Sequence, residues 1–396
     1  MPGPRTAALI ESLPRRLRDV PLPAGSRYRL RIGRTTRDVV FSRSGCIVGQ
    51  PEGRPDVEIV TDAATWAEMD AGRTSGIEAF AARKLVVRGS IDKSLLFEPL
   101  FERPDAGGLH YEVDDVRVGR VTFSRLTAGP ESAPPLLLLH GLGASKASWL
   151  TVVPSLARHH RVIAIDLPGF GSTSKPRGRY DAPWFATHVL SFMEVTGLRG
   201  ALVAGNSMGG RVAMEVAMRE PRMVRAIACL CPVAAFYERP FLWAARMARP
   251  EAGIFAARLP RAYLAEQLRR LFSEPSRLHD DWYEAAIDDF LQTWRRPTAR
   301  MAFFASLKNI YVDEPHGAAG FWARLAKLKV PALYVYGRQD VLITPRFGGR
   351  VAKALPQAKV EVWDDCGHAP QLEHPERTAK AMLDFFAEAK PRSRAV

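Results

Sequence analysis

Five residues, Gly205-Asn206-Ser207-Met208-Gly209, narrow the folds open to this chain more than any other stretch. They follow a short apolar run, Ala201 to Ala204, and precede Arg211 to Ala217, whose apolar residues recur at helical spacing. Strand, tight turn and helix in that order lift the hydroxyl of the central serine clear of a sheet edge. Bulk at either flanking position would strike the neighbouring strand or helix, so both are glycine. Alone, the pentapeptide also fits an ordinary glycine-rich turn. The rest of the chain separates the two readings.

A serine nucleophile needs a base, and the base needs an orienting acid. On a strand-turn-helix elbow the chain order is serine, acid, histidine. Downstream, Ala332 to Gly337 reads as a buried parallel strand ending in Arg338-Gln339-Asp340. Lys359 to Trp363 alternates like a strand and runs into Asp364-Asp365-Cys366-Gly367-His368. Asp340 and His368 thus both fall at the carboxyl ends of strands, where open α/β sheets gather their catalytic groups. Each has rivals. His374 sits in a helix entry, His-Pro-Glu, and is set behind His368. Asp364 and Asp365 are too near His368 on the same strand exit to support it from the side. Asp166 precedes the serine and shapes a turn. Glu238, after the strand that follows the elbow helix, is the alternative acid to Asp340.

An acyl-transfer site also needs donors for the oxyanion. Pro135 to Leu139 is a buried strand ending in His140-Gly141-Leu142-Gly143. The backbone N–H groups of Met208 and Leu142 are the expected pair. His140 is expected to hold its loop by hydrogen bonds and not to take part in the chemistry.

Together, His140-Gly141-Leu142-Gly143-Ala144-Ser145, Asp166 to Gly171, Gly205 to Gly210, Gly337 to Asp340 and Cys366-Gly367-His368 resemble an α/β-hydrolase-fold serine hydrolase. The resemblance covers about residues 110–390 and is nearest the monoacylglycerol-lipase and esterase branch. It implies a mostly parallel, eight-stranded sheet with a helical cap and no cofactor or metal. The Asn-Ser-Met-Gly-Gly elbow is shared with carbon–carbon-bond hydrolases of aromatic ring cleavage. A serine at 207 sets the chain apart from epoxide hydrolases and dehalogenases, which use aspartate there.

A chain of 396 residues calls for two domains. No run approaches the roughly 18 apolar residues of a membrane span. Met1 to Val20 has prolines and arginines but not the apolar core of a secretory signal. Cys46, Cys229, Cys231 and Cys366 form neither a disulfide framework nor a metal motif, so a reducing cytoplasm is expected. The net charge of +14 comes without interleaved basic and aromatic residues, so no nucleic-acid partner is expected.

The residues before about 105 do not belong to the hydrolase pattern. Arg27 to Ile32, Asp38 to Phe41 and Val57 to Val60 read as strands. Asp62 to Asp70 and Ser75 to Arg83 have helical spacing, with Asp62 and Thr74 or Ser75 as N-caps. Lys84 to Gly89 reads as a strand and Ser90 to Glu102 as a closing helix, before the linker Pro104 to Gly108. The run from Ile59 through Trp66, Gly72 and Ile77-Glu78-Ala79-Phe80 to Gly89 resembles the sterol-carrier-protein family over about residues 25–103. That implies a small α+β domain enclosing an apolar tunnel. The family's opening amphipathic helix has a poor counterpart in Ile10 to Arg18, which Pro14 interrupts. Trp66, Ile77 and Phe80 are expected in the core.

The expected division is a sterol-carrier-like domain over 1–104 and a hydrolase over 105–396, with a cap insertion over about 232–329. Phe241 to Arg249 and Tyr263 to Phe272 read as cap helices mixing large apolar groups with arginines. Such faces suit peripheral contact with a membrane surface. The expected reaction is hydrolysis of an apolar or lipid-like ester through an acyl-enzyme, by Ser207, His368 and Asp340. Carbon–carbon-bond hydrolysis, acyl transfer to an alcohol, and lipid carriage with a vestigial hydrolase are the alternatives.

Overall fold

The computed structural model describes residues 3–233, 251, 259–310 and 316–389. Glu238 and the expected cap helix Phe241 to Arg249 lie outside the described residues. The chain forms two compact units, one of Met1–Val113 with His279–Gln292, the other of Asp114–Leu278 with Thr293–Val396.

The first unit is built on a five-stranded mixed sheet. Its strands are β1 (Arg27–Ile32), β2 (Thr35–Phe41), β3 (Cys46–Gly49), β4 (Val57–Thr61) and β5 (Leu85–Gly89), in the order β3-β2-β1-β4-β5. β1 pairs parallel with β4 and antiparallel with β2. The strands alternate in burial, so Tyr28, Leu30 and Ile32 of β1 reach the core on one face. Tyr28, Phe41, Phe97 and Phe101 meet there, with ring centroids 5.1–6.1 Å apart. Trp66 and Ile77 are buried and Phe80 is half-buried.

The helices start where the caps predict. Asp62 accepts from the Thr65 N–H, and Ser75 forms a full capping box with Glu78. The first helix, Gly3–Glu11, stops short of Pro14, which lies in a brief 3-10 turn. The sequence pattern names no strand at β3. It is a four-residue strand with little burial, so its alternation is too short to register.

The stretch 279–292, which the sequence reading placed within the cap insertion, clusters with the first unit. Arg88 pairs with Asp281 at 3.2 Å, and the Gly89 N–H donates to Asp288.

The eight-stranded sheet comprises β6 (Tyr111–Val118), β7 (Val121–Ala128), β8 (Pro135–Leu139), β9 (Arg161–Ile165), β10 (Ala201–Asn206), β11 (Val224–Leu230), β12 (Ala332–Gly337) and β13 (Lys359–Trp363). Their order is β13-β12-β11-β10-β8-β9-β7-β6. Pairings from β13 through to β9 are parallel, and β7 joins antiparallel to β9. This is the mostly parallel sheet expected. β8, β10 and β12 are apolar almost throughout, as strands covered on both faces must be. Leu137, Leu139, Ile163, Val203, Phe185 and Val212 lie in one buried cluster. The carboxyl ends of β10, β12 and β13 deliver Ser207, Asp340 and His368. Among the described residues, no helix is long and apolar enough to cross a membrane.

Candidate active site

β10 ends at Asn206 and a helix begins at Met208. Ser207, between them, has φ 53° and ψ −114°, a conformation that a side chain adopts only when its surroundings enforce it. Backbone bonds do so here. The Ser207 N–H donates to Leu230 O at 2.9 Å, and its carbonyl accepts from Arg211 and Val233. The hydroxyl does not cap the helix. A Cβ at Gly205 would run into the backbone of Gly209, and one at Gly209 into the carbonyls of Leu139 and His140. The turn therefore closes only with glycine at both places.

Asp340 follows β12 and is buried. Its Oδ1 accepts from the N–H groups of Leu342 and Ile343, each at 2.8 Å. Its Oδ2 meets Nδ1 of His368 at 2.8 Å. A carboxylate only accepts, so the proton rests on Nδ1 and Nε2 is left as the basic nitrogen. His368 is held at both ends of its own peptide. Its N–H donates to Leu271 O at 2.6 Å, and its carbonyl accepts from Asn206 Nδ2 at 3.0 Å. The residue beside Ser207 is thus bonded to the residue paired with Asp340.

The loop after β8 runs alongside. A Cβ at Gly141 would lie 3.4 Å from the Ser207 Cβ. Leu142 is half-buried and Met208 fully buried. His140 accepts from the Leu167 N–H at Nε2 and contacts Gly141 O through Nδ1, so both ring nitrogens serve the loop. Asp166 fastens the same loop. It accepts from the Lys146 N–H at 2.6 Å, Lys146 Nζ at 2.8 Å and the Ser172 N–H at 2.9 Å. Both partners of this ion pair are buried. Burial opposes ionisation of Asp166, but the Lys146 cation and the donated hydrogen bonds hold its carboxyl below the usual range.

The rivals are placed elsewhere. Asp364 is exposed and pairs with Arg338. Asp365 pairs with Arg277 at 2.8 Å. His374 Nε2 lies 2.8 Å from Arg277 Nη1 and 2.9 Å from Asp365 O. Among the described residues, Asp340 is the carboxylate bonded to His368.

Sequence reading missed two neighbours. Cys231 follows β11 with φ 44°, and its sulfur lies 3.5 Å from Gly367 O. Burial and the adjacent Asp340 carboxylate push its thiol well above the usual range, so it stands as S–H. Glu373 is buried and bonds to the backbone before His368. Neither carries a clear local signal, because Cys231 meets Gly367 and Glu373 meets Ser273 and Glu274 about 100 or more residues away.

Among the described residues, two groups of donors have metal-like proximity. Cys231, Asp340 and His368 offer ligand atoms within 4.8 Å of one another, and so do Cys366, Glu373 and His374. In the first, Asp340 and His368 are committed to each other. In the second, the Arg277 guanidinium, 3.5 Å from Glu373, already supplies the cation. A reaction through Ser207, His368 and Asp340 needs no metal.

Comparison with known proteins agrees with this architecture. Residues 24–102 match the SCP-2 sterol transfer family. The chain is 28% identical over 285 residues to 2-hydroxy-6-oxo-6-(2'-aminophenyl)hexa-2,4-dienoic acid hydrolase of Metapseudomonas resinovorans, covering 71% of this chain and 92% of that protein. It is 26% identical over 262 residues to monoacylglycerol lipase ABHD6 of Mus musculus, covering 65% and 77%. Among solved structures it is similar to a membrane phospholipase A described as a bacterial virulence factor. The TM-score is 0.58 at 27% identity, over 71% of this chain and 87% of that one. Residues 134–375 match the alpha/beta hydrolase fold family, well over half the chain, and the chain belongs to that family.

Proposed function

We propose that the protein is a serine hydrolase that cleaves carboxylic esters of apolar or lipid-like substrates through an acyl-enzyme. The observation that carries this reading is the Asp340–His368 bond, tied through Asn206 to the strained turn at Ser207. His368 Nε2 takes the Ser207 proton as Oγ attacks the ester carbonyl. The N–H groups of Leu142 and Met208 receive the oxyanion. His368 then protonates the departing alkoxide as the ester C–O bond breaks. Water, deprotonated by His368, attacks the acyl-serine; the acid leaves and Ser207 regains its proton. Asp340 keeps the imidazole in the Nδ1–H tautomer and stabilises the imidazolium. No cofactor enters.

The lipid character of the substrate rests on the match to the SCP-2 sterol transfer family and on the similarity to a monoacylglycerol lipase and a phospholipase. On this reading residues 1–104 form a lipid-binding domain. It holds a poorly soluble substrate near a hydrolase of residues 105–396 and raises its effective concentration. The insertion over 232–329 acts as cap and meets lipid at its apolar faces, consistent with the exposed Tyr263. A cytoplasmic location fits four free, buried cysteines.

A panel of p-nitrophenyl esters and monoacylglycerols of graded chain length tests the substrate class. Efficiency is expected to rise from acetyl to medium-chain acyl groups. A preference for acetyl or charged acyl groups would contradict it. A second reading, cleavage of a carbon–carbon bond in a vinylogous diketone, draws on the similarity to the dienoic acid hydrolase. Ring-cleavage diketones turned over faster than any ester would favour it.

A further inference from the structure

The chemistry assigned to His368 requires its imidazole to stay within hydrogen-bonding reach of Asp340 through both half-reactions. The loop that carries it, Asp364 to Ala369, is irregular, so its orientation must come from tertiary bonds. Those bonds converge on Glu373. Its Oε2 accepts from the Gly367 N–H at 2.7 Å. Its Oε1 accepts from the Ser273 N–H at 2.8 Å, the Ser273 hydroxyl at 2.5 Å and the Glu274 N–H at 3.0 Å. The Glu373 side chain is fully buried. Four donors satisfy it, and three of them are backbone N–H groups of irregular segments.

The contact is closed from the other side. The His368 N–H donates to Leu271 O, two residues before Ser273. A Cβ at Gly367 would strike that same carbonyl, so the two backbones touch there. Asp365 O lies 2.6 Å from Ser273 Oγ and competes with Glu373 for its single hydroxyl proton, and Arg277 donates to Asp365 O and Oδ2. Consecutive amides, those of Gly367 and His368, are thus gripped by Glu373 and Leu271.

We propose that Glu373 is a positioning residue for the catalytic histidine, and that the insertion segment Leu271–Glu274 is the fixed rail to which it fastens the histidine loop. This deepens the reading of His368 as the general base and rests on it. The insertion is then part of the scaffold that aims the base, in addition to covering the site. Displacing Leu271–Glu274 would turn His368 away from Asp340. Two accepting oxygens are what the position demands, because donors meet the carboxyl on both sides. A carboxamide would set its own N–H₂ against an N–H donor.

Glu373→Gln in the full chain tests this. Misplacement of a catalytic group by about 1 Å costs on the order of 10²-fold. The expected result is therefore a kcat about 10²-fold lower on a soluble p-nitrophenyl ester, with KM within about threefold, as befits loss of an interaction that aims the base and not the substrate. The proton between His368 Nδ1 and Asp340 gives a second readout, as a far-downfield proton resonance. It is expected to move or vanish in Glu373→Gln at a temperature where circular dichroism shows the variant folded. It needs no substrate, so it reports on Glu373 even where no ester is turned over, and failure of the ester-hydrolase reading stays distinguishable. A kcat within about threefold of the parent with an unmoved downfield resonance would overturn the proposal. If Glu373→Gln does not fold, Ser273→Ala, at a half-buried position, decides. Loss of its hydroxyl is expected to lower kcat several-fold with KM unchanged, and parent kinetics would overturn the proposal.

Discussion

The side-chain amide of Asn206 donates to the main-chain carbonyl of His368 at 3.0 Å, across 162 residues of chain. The same nitrogen donates to Leu230 O at 3.1 Å. One carboxamide therefore ties the elbow, the strand beside it and the histidine loop, and holds the His368 backbone next to the Ser207 turn. Asn206→Ala would take that donor from the buried His368 carbonyl, at a cost of about 1–3 kcal/mol, while Leu230 O keeps the Ser207 N–H. Lower thermal stability and a fall in kcat are expected, read by calorimetry and steady-state kinetics on one preparation. Unchanged kcat would show that the elbow does not set the base.

Asp340→Asn is expected to lower kcat by about 10⁴-fold, because an amide mis-sets the imidazole tautomer. Glu238→Gln is expected to leave kcat near the parent value. The reverse ranking, in parallel assays of the two purified variants, would assign the acid to the earlier strand exit.

Lys146→Met is expected to destabilise the protein by about 3 kcal/mol, since it leaves the Asp166 carboxylate buried without its counter-charge. Urea unfolding measures this. A shift well below 1 kcal/mol, the range of an exposed pair, would contradict a buried role.

Stability should also depend on pH through Glu98. Burial raises its carboxyl to about 7, against the pull of Arg103 and the Gly76 N–H. A folded value above the unfolded one means that the folded state binds the proton more tightly. The stabilisation is complete below about pH 4.5 and is lost as pH rises through about 7. For a shift of this size the span is roughly 3 kcal/mol. Unfolding of the full chain followed between pH 5 and pH 8 is expected to show this decline, flattened in Glu98→Gln. Equal slopes in the two proteins would place the titration elsewhere.

What the sequence made legible was local. The elbow at Ser207 is a strand, a turn that only glycine neighbours permit, and a helix, all within twenty residues. Asp340 and His368 follow because each ends an apolar strand. The N-caps Asp62 and Ser75 were readable for the same reason, since each acts on a residue three positions on. Glu373, Cys231 and the amide of Asn206 were not readable in their roles, because apart from the Glu373–Gly367 bond, six residues apart, their partners lie 24 to 162 residues away. Nothing in the Glu373 neighbourhood separates a buried acceptor of four donors from an ordinary helical glutamate. The helix Asp280–Trp294 was placed by chain order with the cap, whereas its contacts to Arg88 and Gly89 lie in the first unit. Chain order cannot report which unit buries a helix.

The most direct test is Ser207→Ala in the otherwise unchanged chain, assayed for ester hydrolysis and for labelling by a fluorophosphonate probe. Loss of a triad nucleophile costs on the order of 10⁶-fold in kcat. Turnover and labelling are both expected to vanish while the protein remains folded. A folded Ser207→Ala protein that hydrolyses esters near the parent rate would contradict the account.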